Sequence, residues 1–358
     1  MIFHSKPTLN KEDSSAVSRV INSGYISQGE AVARFESELA EYIGVKGGGA
    51  VSSGTSALHL SLIALGVKEG DDVAMPTYVC PALLNPINYI GANPLLIDIN
   101  PDSYNISPAD LKKKLTKKTR AVIVPHIFGL PADIKDILSI GIPVIEDCAQ
   151  SVGAVYNGKK AGSFGHCAIF SFYATKVMTT GEGGMVVSNS DKILEKIKDL
   201  REYDHKPNYM VRYNYKMTDL QAAIGISQLK RLDSFISRRR NIALAYSKRF
   251  SELEIAIPKV YTEREHIYFR YVIKNRVKGQ GSRVKGLEED LKFFEVNGVK
   301  CMRPIFKPIH RYLKLKGFPE ADRAWNELIS IPIYPSLTDG DVKKIVRVTE
   351  KWQEAKVE

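Results

Sequence analysis

The sequence predicts an α/β fold: a mostly parallel seven-stranded sheet flanked by helices, followed by a smaller C-terminal α+β domain. Three observations predict it. Between Gly48 and about Ser188, short β-rich runs alternate with helical patterns, the mark of strands that cross over through helices. After Ser188 the texture turns helical, and the final third carries one clear strand. A chain of 358 residues is also long enough that two domains are expected rather than one.

The strand runs are residues 47–53, DVAMP (72–76), PLLIDI (94–99), AVIVPH (121–126), PVIED (143–147), AIFSF (168–172) and GMVVS (184–188). Between them, SALHLSLIAL and PALLNPINYI space their apolar residues as helices do, and Gly66 and Gly91 close them. A long helix is expected from about Thr218, whose Thr-Asp start resembles an N-cap, to about Phe250. The strand YFRYVI follows, then an amphipathic helix over 286–297 and another helix near the C-terminus. The domain boundary is placed so that 1–240 form the large α/β domain and 241–358 the small α+β domain.

Composition narrows the class. At 44% hydrophobic and 25% charged residues the chain is ordinary globular material, not disordered or fibrous. No run reaches the roughly 18 apolar residues of a spanning helix, and MIFHSKPTLN lacks the apolar stretch of a signal peptide. A cytoplasmic protein with no membrane partner is expected. Cys80, Cys148, Cys167 and Cys301 are scattered, so neither a metal site nor a disulfide framework is indicated. The net charge of +11 favours anionic ligands. The basic residues are dispersed, however, and Arg238-Arg239-Arg240 reads as a solvated helix face; no nucleic-acid partner is expected.

In open α/β sheets, ligands bind beyond the carboxyl ends of the strands. Ser53-Gly54-Thr55-Ser56 follows the first strand and opens a helix; it is either plain capping or an anion cradle of free N–H groups. Glu146 and Asp147 end an apolar strand, where a buried carboxylate needs backbone donors or a cofactor cation. Tyr173-Ala174-Thr175-Lys176 follows the next run and precedes Gly181-Glu182-Gly183-Gly184. That lysine either snorkels to solvent or is held inside as a nucleophile at depressed pKa.

Taken together and in order, GTSAL, EDCAQS, SFYATK with TGEGG, and YNYKMTDLQAAIG resemble the DegT/DnrJ/EryC1/StrS family of sugar aminotransferases, which are fold type I pyridoxal-phosphate (PLP) enzymes. The resemblance runs from SGYISQG (23–29) to ISIPIYPSLTD (329–339). It implies that Lys176 carries the cofactor covalently, that Asp147 binds the pyridine nitrogen, and that Gln150 lies against the ring near its 3-hydroxyl. It implies cofactor-phosphate contacts from Gly54, Thr55 and Ser171, and an aromatic face from Tyr78. Asn214 matches an asparagine that reaches the phosphate from the other subunit, which implies a homodimer with shared active sites. One departure is Asn214-Tyr215-Lys216-Met217, where the family usually has N-x-R-M; the charge is kept but the planar fork is lost. Tyr203-Asp204-His205 stands near a common His-Gly pair and receives no role.

The implied chemistry moves nitrogen from L-glutamate to the cofactor, giving the pyridoxamine form (PMP) and 2-oxoglutarate, and then to a keto sugar carried by a nucleotide. Asp147 secures the ring proton and Lys176 shuttles a proton at the reacting carbon. Arg303 and His310 resemble the R-P-x-F segment and following histidine of the perosamine-synthase type, which aminates C4 of a GDP-linked 4-keto-6-deoxy sugar. They meet the substrate, or else Arg303 makes an interface ion pair and His310 is a satisfied core residue. Lys216 is a further substrate candidate. Amination at C3 of a 3-keto sugar is the alternative regiochemistry. A dehydratase of this scaffold would replace Lys176 with histidine, and a non-catalytic regulator would have lost some of Lys176, Asp147 or Ser171. A nicotinamide-binding fold needs G-x-G-x-x-G after the first strand, and Gly47-Gly48-Gly49 does not match.

Overall fold

The computed structural model describes residues 1–275 and 286–357. Its centre is a seven-stranded sheet of β1 (Gly47–Val51), β2 (Asp72–Pro76), β3 (Asn93–Ile97), β4 (Thr119–Pro125), β5 (Val144–Asp147), β6 (Cys167–Ser171) and β7 (Gly184–Ser188), in the order β1-β7-β6-β5-β4-β2-β3. Only β7 runs against its neighbours; the pairs from β6 to β3 are parallel. Every strand run anticipated from the sequence is present. They were legible because helices cover both faces, so each strand is a nearly continuous apolar run.

One face packs Phe35, Leu39, Phe172 and Leu232; the other packs Leu58, Leu62, Tyr78 and Ile87. The helix Gly54–Ala64 crosses the second face and is buried from Ser56 to Leu62, so it is apolar all round rather than striped. Two N-terminal helices, Lys11–Ser23 and Glu30–Ile43, were not read from the sequence. Asn10 and Asp13 form a reciprocal capping box at the first, and Gly24 and Gly44 end them in the left-handed region.

The long helix expected from Thr218 to Phe250 is two helices, Asp219–Leu229 and Leu232–Glu252. Thr218 does cap the first, with Gln221 closing a capping box. The break falls at Lys230–Arg231, where Arg231 pairs with Asp13 at 2.6 Å and Gln228 donates to the same carboxylate at 3.0 Å. Buried positions recur through the junction at Leu229, Leu232, Phe235 and Ile236, so hydrophobic spacing carries no sign of it.

The second of these helices runs unbroken past residues 240 and 241. Leu232 and Ile236 belong to the sheet's core, whereas Ile242, Tyr246 and Phe250 pack with Tyr271, Phe294 and Trp352. In the C-terminal region Tyr271–Lys274 pairs antiparallel with Leu328–Ile331, a strand not read from the sequence. The anticipated amphipathic helix is Leu287–Val296, flanked by Gly286 and Asn297, and the last helix is Asp339–Val357. Among the described residues no helix is long and apolar enough to cross a membrane.

Candidate active site

The carboxyl ends of β5 and β6 and the start of the helix Gly54–Ala64 converge on a cavity of about 280 Å³. Gly54, Thr55, Asp147, Gln150, Ser171 and Lys176 all line it. A larger groove of about 920 Å³ lies between helices Lys11–Ser23, Glu30–Ile43 and Asp219–Leu229, and none of the candidate residues lines it.

Capping and anion binding coexist at the helix start. Ser53 Oγ accepts from the Ser56 amide at 3.0 Å, which leaves the amides of Gly54 and Thr55 without intrahelical partners. A Cβ on Gly54 would stand 2.8 Å from Cβ of Ser171, so only glycine lets the helix start approach β6 this closely. No hydrogen bond is formed by the hydroxyls of Thr55 and Ser171 among the described residues. Free amides, the positive helix end and two free hydroxyls suit a phosphate dianion.

Glu146 and Asp147 part company because successive strand residues face opposite sides of a sheet. Glu146 accepts from His126 Nε2 at 2.9 Å and from the amides of Gly162, Phe164 and Gly165 at 2.9, 2.7 and 2.7 Å. Burial pushes its pKa up, but the His126 and backbone bonds prevail and hold it below the ordinary 4.5. The other His126 nitrogen accepts from the Ala132 amide at 2.9 Å, which assigns the ring proton to Nε2. His126, Glu146 and Cys148 offer atoms within 4.8 Å of one another, yet the carboxylate is already filled by four donors. Glu146 is therefore the structural acid of the pair.

Its removal has a defined consequence. In Glu146→Gln the new NH2 would face backbone N–H groups, leaving donors against donors in a dry site; a loss of about 2–4 kcal/mol is expected. Because the folded-state pKa is depressed, the carboxylate's contribution is present above 4.5 and is lost as pH falls through the folded value. Urea denaturation at pH 7 and pH 4 should show a smaller gap between the two proteins at the lower pH. A gap that widens in acid would contradict this account.

Asp147 is buried too, but its Oδ1 accepts only the Ala149 amide, at 2.9 Å. Its other oxygen has no hydrogen-bond partner among the described residues. Burial raises the pKa above the ordinary 3.8, with the Ala149 bond and the Lys176 charge opposing it only in part. A buried carboxylate with an unused oxygen calls for a cationic N–H donor, which the protonated pyridine of PLP supplies.

Lys176 sits in the turn after β6, where its amide donates to the Tyr173 carbonyl at 2.9 Å. Nζ forms no hydrogen bond or ion pair among the described residues and lies 5.5 Å from the centre of the Phe269 ring. Burial lowers its pKa below 10.5, against the opposing pull of Asp147 and Cys80. The lysine is thus held inside rather than snorkelling. Gln150 Oε1 accepts from the Phe128 amide at 2.9 Å, which fixes the side chain and leaves its NH2 free to donate. An amine nucleophile, an unsatisfied acid, a phosphate cradle and a free amide donor fit PLP.

Other candidates lie elsewhere. Tyr78 does not face the cavity, contrary to expectation: it is fully buried, its hydroxyl donates to the Ala324 carbonyl at 3.5 Å, and its ring meets Phe128 edge-on. Val79 and Cys80 line the cavity instead. Asn214 is exposed on the irregular segment that follows the helix Asp191–Leu200, outside the cavity. Lys216 pairs with Asp204 at 3.3 Å, which also gives Asp204 a partner. Arg303 pairs with Glu288 at 2.9 Å and stacks on Trp325. His310 is buried between Thr77 (2.8 Å) and Asp322 (3.1 Å). His310 has the geometry of a satisfied core residue, whereas the Arg303–Glu288 pair lies within the C-terminal region and not at the interface of the two expected domains. Cys80 and Glu182, which line the cavity, and Phe269 beside Lys176 received no site role from the sequence, although Glu182 stands within the TGEGG motif that follows Lys176.

A family model described as the DegT/DnrJ/EryC1/StrS aminotransferase family matches residues 7–350. A GDP-perosamine synthase of Vibrio cholerae is 38% identical over 97% of this chain and 98% of its own length. A protein of the same name from Caulobacter vibrioides is 33% identical over 96% of each. The crystal structure of the aminotransferase TlmJ from Streptoalloteichus hindustanus superposes with a TM-score of 0.92 at 28% identity, covering 100% of both chains.

Proposed function

The chain belongs to the DegT/DnrJ/EryC1/StrS aminotransferase family and is a PLP-dependent enzyme, and on that footing we propose that it transfers an amino group from L-glutamate to C4 of a nucleotide-linked 4-keto-6-deoxyhexose. The observation that carries the chemistry is the facing pair in one cavity, an unpaired Lys176 Nζ and the unused oxygen of Asp147. The substrate reading rests on full-length likeness to two proteins named GDP-perosamine synthase. A GDP-linked sugar is accordingly the first substrate to offer, and the positive net charge favours such an anion.

Bound PLP supplies the electron sink that stabilises negative charge on the carbon bearing nitrogen. The chain's own residues do the rest. Gly54, Thr55 and Ser171 hold the phosphate, so that the reacting carbon meets Lys176 in register. Asp147 holds the proton on the ring nitrogen. Gln150, braced by Phe128, donates its NH2 near the ring hydroxyl. Lys176 Nζ, whose pKa burial lowers below 10.5, would bind the cofactor at rest and, once displaced, move a proton to and from the carbon that carries nitrogen.

Asn214 in this reading completes the partner's phosphate site in a homodimer. Its exposure beside the exposed Tyr209 and Val211 supports that. Residues 1–240 would then form the cofactor domain and 241–358 the domain that closes over it. The retained Lys176, Asp147 and Ser171 speak against a dehydratase or a regulator that has shed its chemistry.

The test is isotopic. PLP-loaded enzyme given 15N-glutamate and a GDP-linked 4-keto-6-deoxyhexose should place the label on C4, read by NMR of the product. Label on C3, or no transfer to any keto sugar, would sink the substrate reading.

A further inference from the structure

Arg270 is a cation without an anion. Its terminal nitrogen donates to His4 Nε2 at 3.2 Å and to the Met302 sulfur at 3.5 Å, while Nε is buried with no partner. Among the described residues no carboxylate lies within ion-pair distance of it. Burial lowers its pKa to about 10, and the opposing charges that Tyr78 and Cys80 would carry only partly offset this. His4 offers no countercharge: burial and the charges of Arg270 and Arg239 take its pKa down to about 3. A half-buried guanidinium whose Nε is enclosed without a partner, and which has no carboxylate beside it among the described residues, is costly to keep, which calls for a ligand.

Its position says which ligand. The Arg270 amide donates to the Phe128 carbonyl at 3.2 Å and the Ile267 amide to the Gly129 carbonyl at 3.1 Å, so this segment is clamped to the loop that braces Gln150. Lys176 Nζ and Arg270 Cζ each lie 5.5 Å from the centre of the Phe269 ring, and so stand no more than about 11 Å apart. Among the described residues Lys176 is the only cation lining the cavity, and the other basic candidates are occupied. Lys216 has Asp204, Arg303 has Glu288 and His310 has Asp322. Arg239 donates to the carbonyls of Tyr268, Phe269 and Ile333.

An amino-acid donor must bring its α-carbon to Lys176, and it arrives carrying a carboxylate. We propose that Arg270, which lies outside the cavity lining but next to the Phe269 ring that Lys176 Nζ also approaches, binds a carboxylate of the amino donor and so steers glutamate onto Lys176. The proposal rests on the aminotransferase reading. A planar guanidinium with free donors is the group that takes a carboxylate in a fork.

Glutarate, which has both carboxylates of glutamate but no amine, is the probe. Its binding to PLP-loaded wild type, Arg270→Gln and Arg270→Lys would be measured by calorimetry, with GDP as the competing anion and PLP content as the check on folding. Arg270→Gln should weaken glutarate by about 30-fold, the worth of hydrogen bonds to a charged group. Arg270→Lys should recover part of the loss, with GDP affinity and PLP content unchanged in both variants. Glutarate affinity within about threefold of wild type in Arg270→Gln would overturn the proposal, and so would a parallel loss for GDP, which would make Arg270 a diphosphate ligand. Stopped-flow absorbance with glutamate separates the two levels. Wild type inert to glutamate removes the aminotransferase reading and this proposal with it. Wild type that reacts, beside a Gln variant with undiminished glutarate affinity, removes this proposal alone.

Discussion

Lys176→Ala should reduce the glutamate half-reaction by at least about 10³-fold, because the substitution removes both a covalent attachment and a general base, and the base alone is worth about 10²–10⁴. Among the described residues Nζ makes no hydrogen bond or ion pair that its loss would orphan, so the fold should not suffer. Electrostatics points the same way. Burial depresses the amine's pKa below 10.5, so its charge costs stability at pH values below the folded pKa. That cost fades as pH rises from the folded value towards 10.5. At neutral pH the cofactor-free variant should therefore melt at the same temperature as wild type or higher. Single-turnover absorbance changes with glutamate, beside melting curves without PLP, would read both. A variant that keeps a tenth of the wild-type rate would remove Lys176 from the chemistry, whatever its position in the cavity.

What the sequence disclosed and what it concealed divide along the range of the interactions. The strands of the sheet were legible because burial on both faces writes itself locally, in runs such as PVIED and GMVVS. The cavity was legible because topology sends Asp147 and Lys176, which end β5 and follow β6, to one edge of the sheet, while Gln150 and Ser171 joined them only through the family resemblance. The helix break at Lys230–Arg231 depends on Asp13, more than two hundred residues away, and no local pattern records it. The strand Leu328–Ile331 exists because Tyr271–Lys274 is there to pair with it. Tyr78 and Cys80 are two residues apart on the stretch after β2, where the chain is no longer a strand. Alternation cannot say there which of them faces the cofactor. The state of Arg270 is harder still to anticipate, since being unpaired is a property of everything that surrounds a side chain.

Asp147→Asn is expected to separate stability from activity, and to do so with a sign opposite to that of its neighbour Glu146. In the cofactor-free protein burial holds the Asp147 pKa above 3.8. A group raised in the folded state favours folding below its unfolded pKa, and that advantage is lost as pH rises through the folded value. At neutral pH its charge is therefore a liability, and asparagine removes it while its Oδ1 can still accept from the Ala149 amide. The cofactor-free variant should melt at the wild-type temperature or above it, whereas Glu146→Gln should melt well below. Activity should move the other way. An uncharged amide cannot keep the proton on the ring nitrogen, and the loss of a buried ion pair shifts that pKa by a few units, each worth about 1.4 kcal/mol. A fall of about 10²–10³ in the half-reaction rate follows, together with weaker PLP retention on dialysis. If Asp147→Asn instead lowered the melting temperature and left the rate within about threefold, Asp147 would be a second structural acid like Glu146, and the cavity would have lost its partner for a cofactor cation.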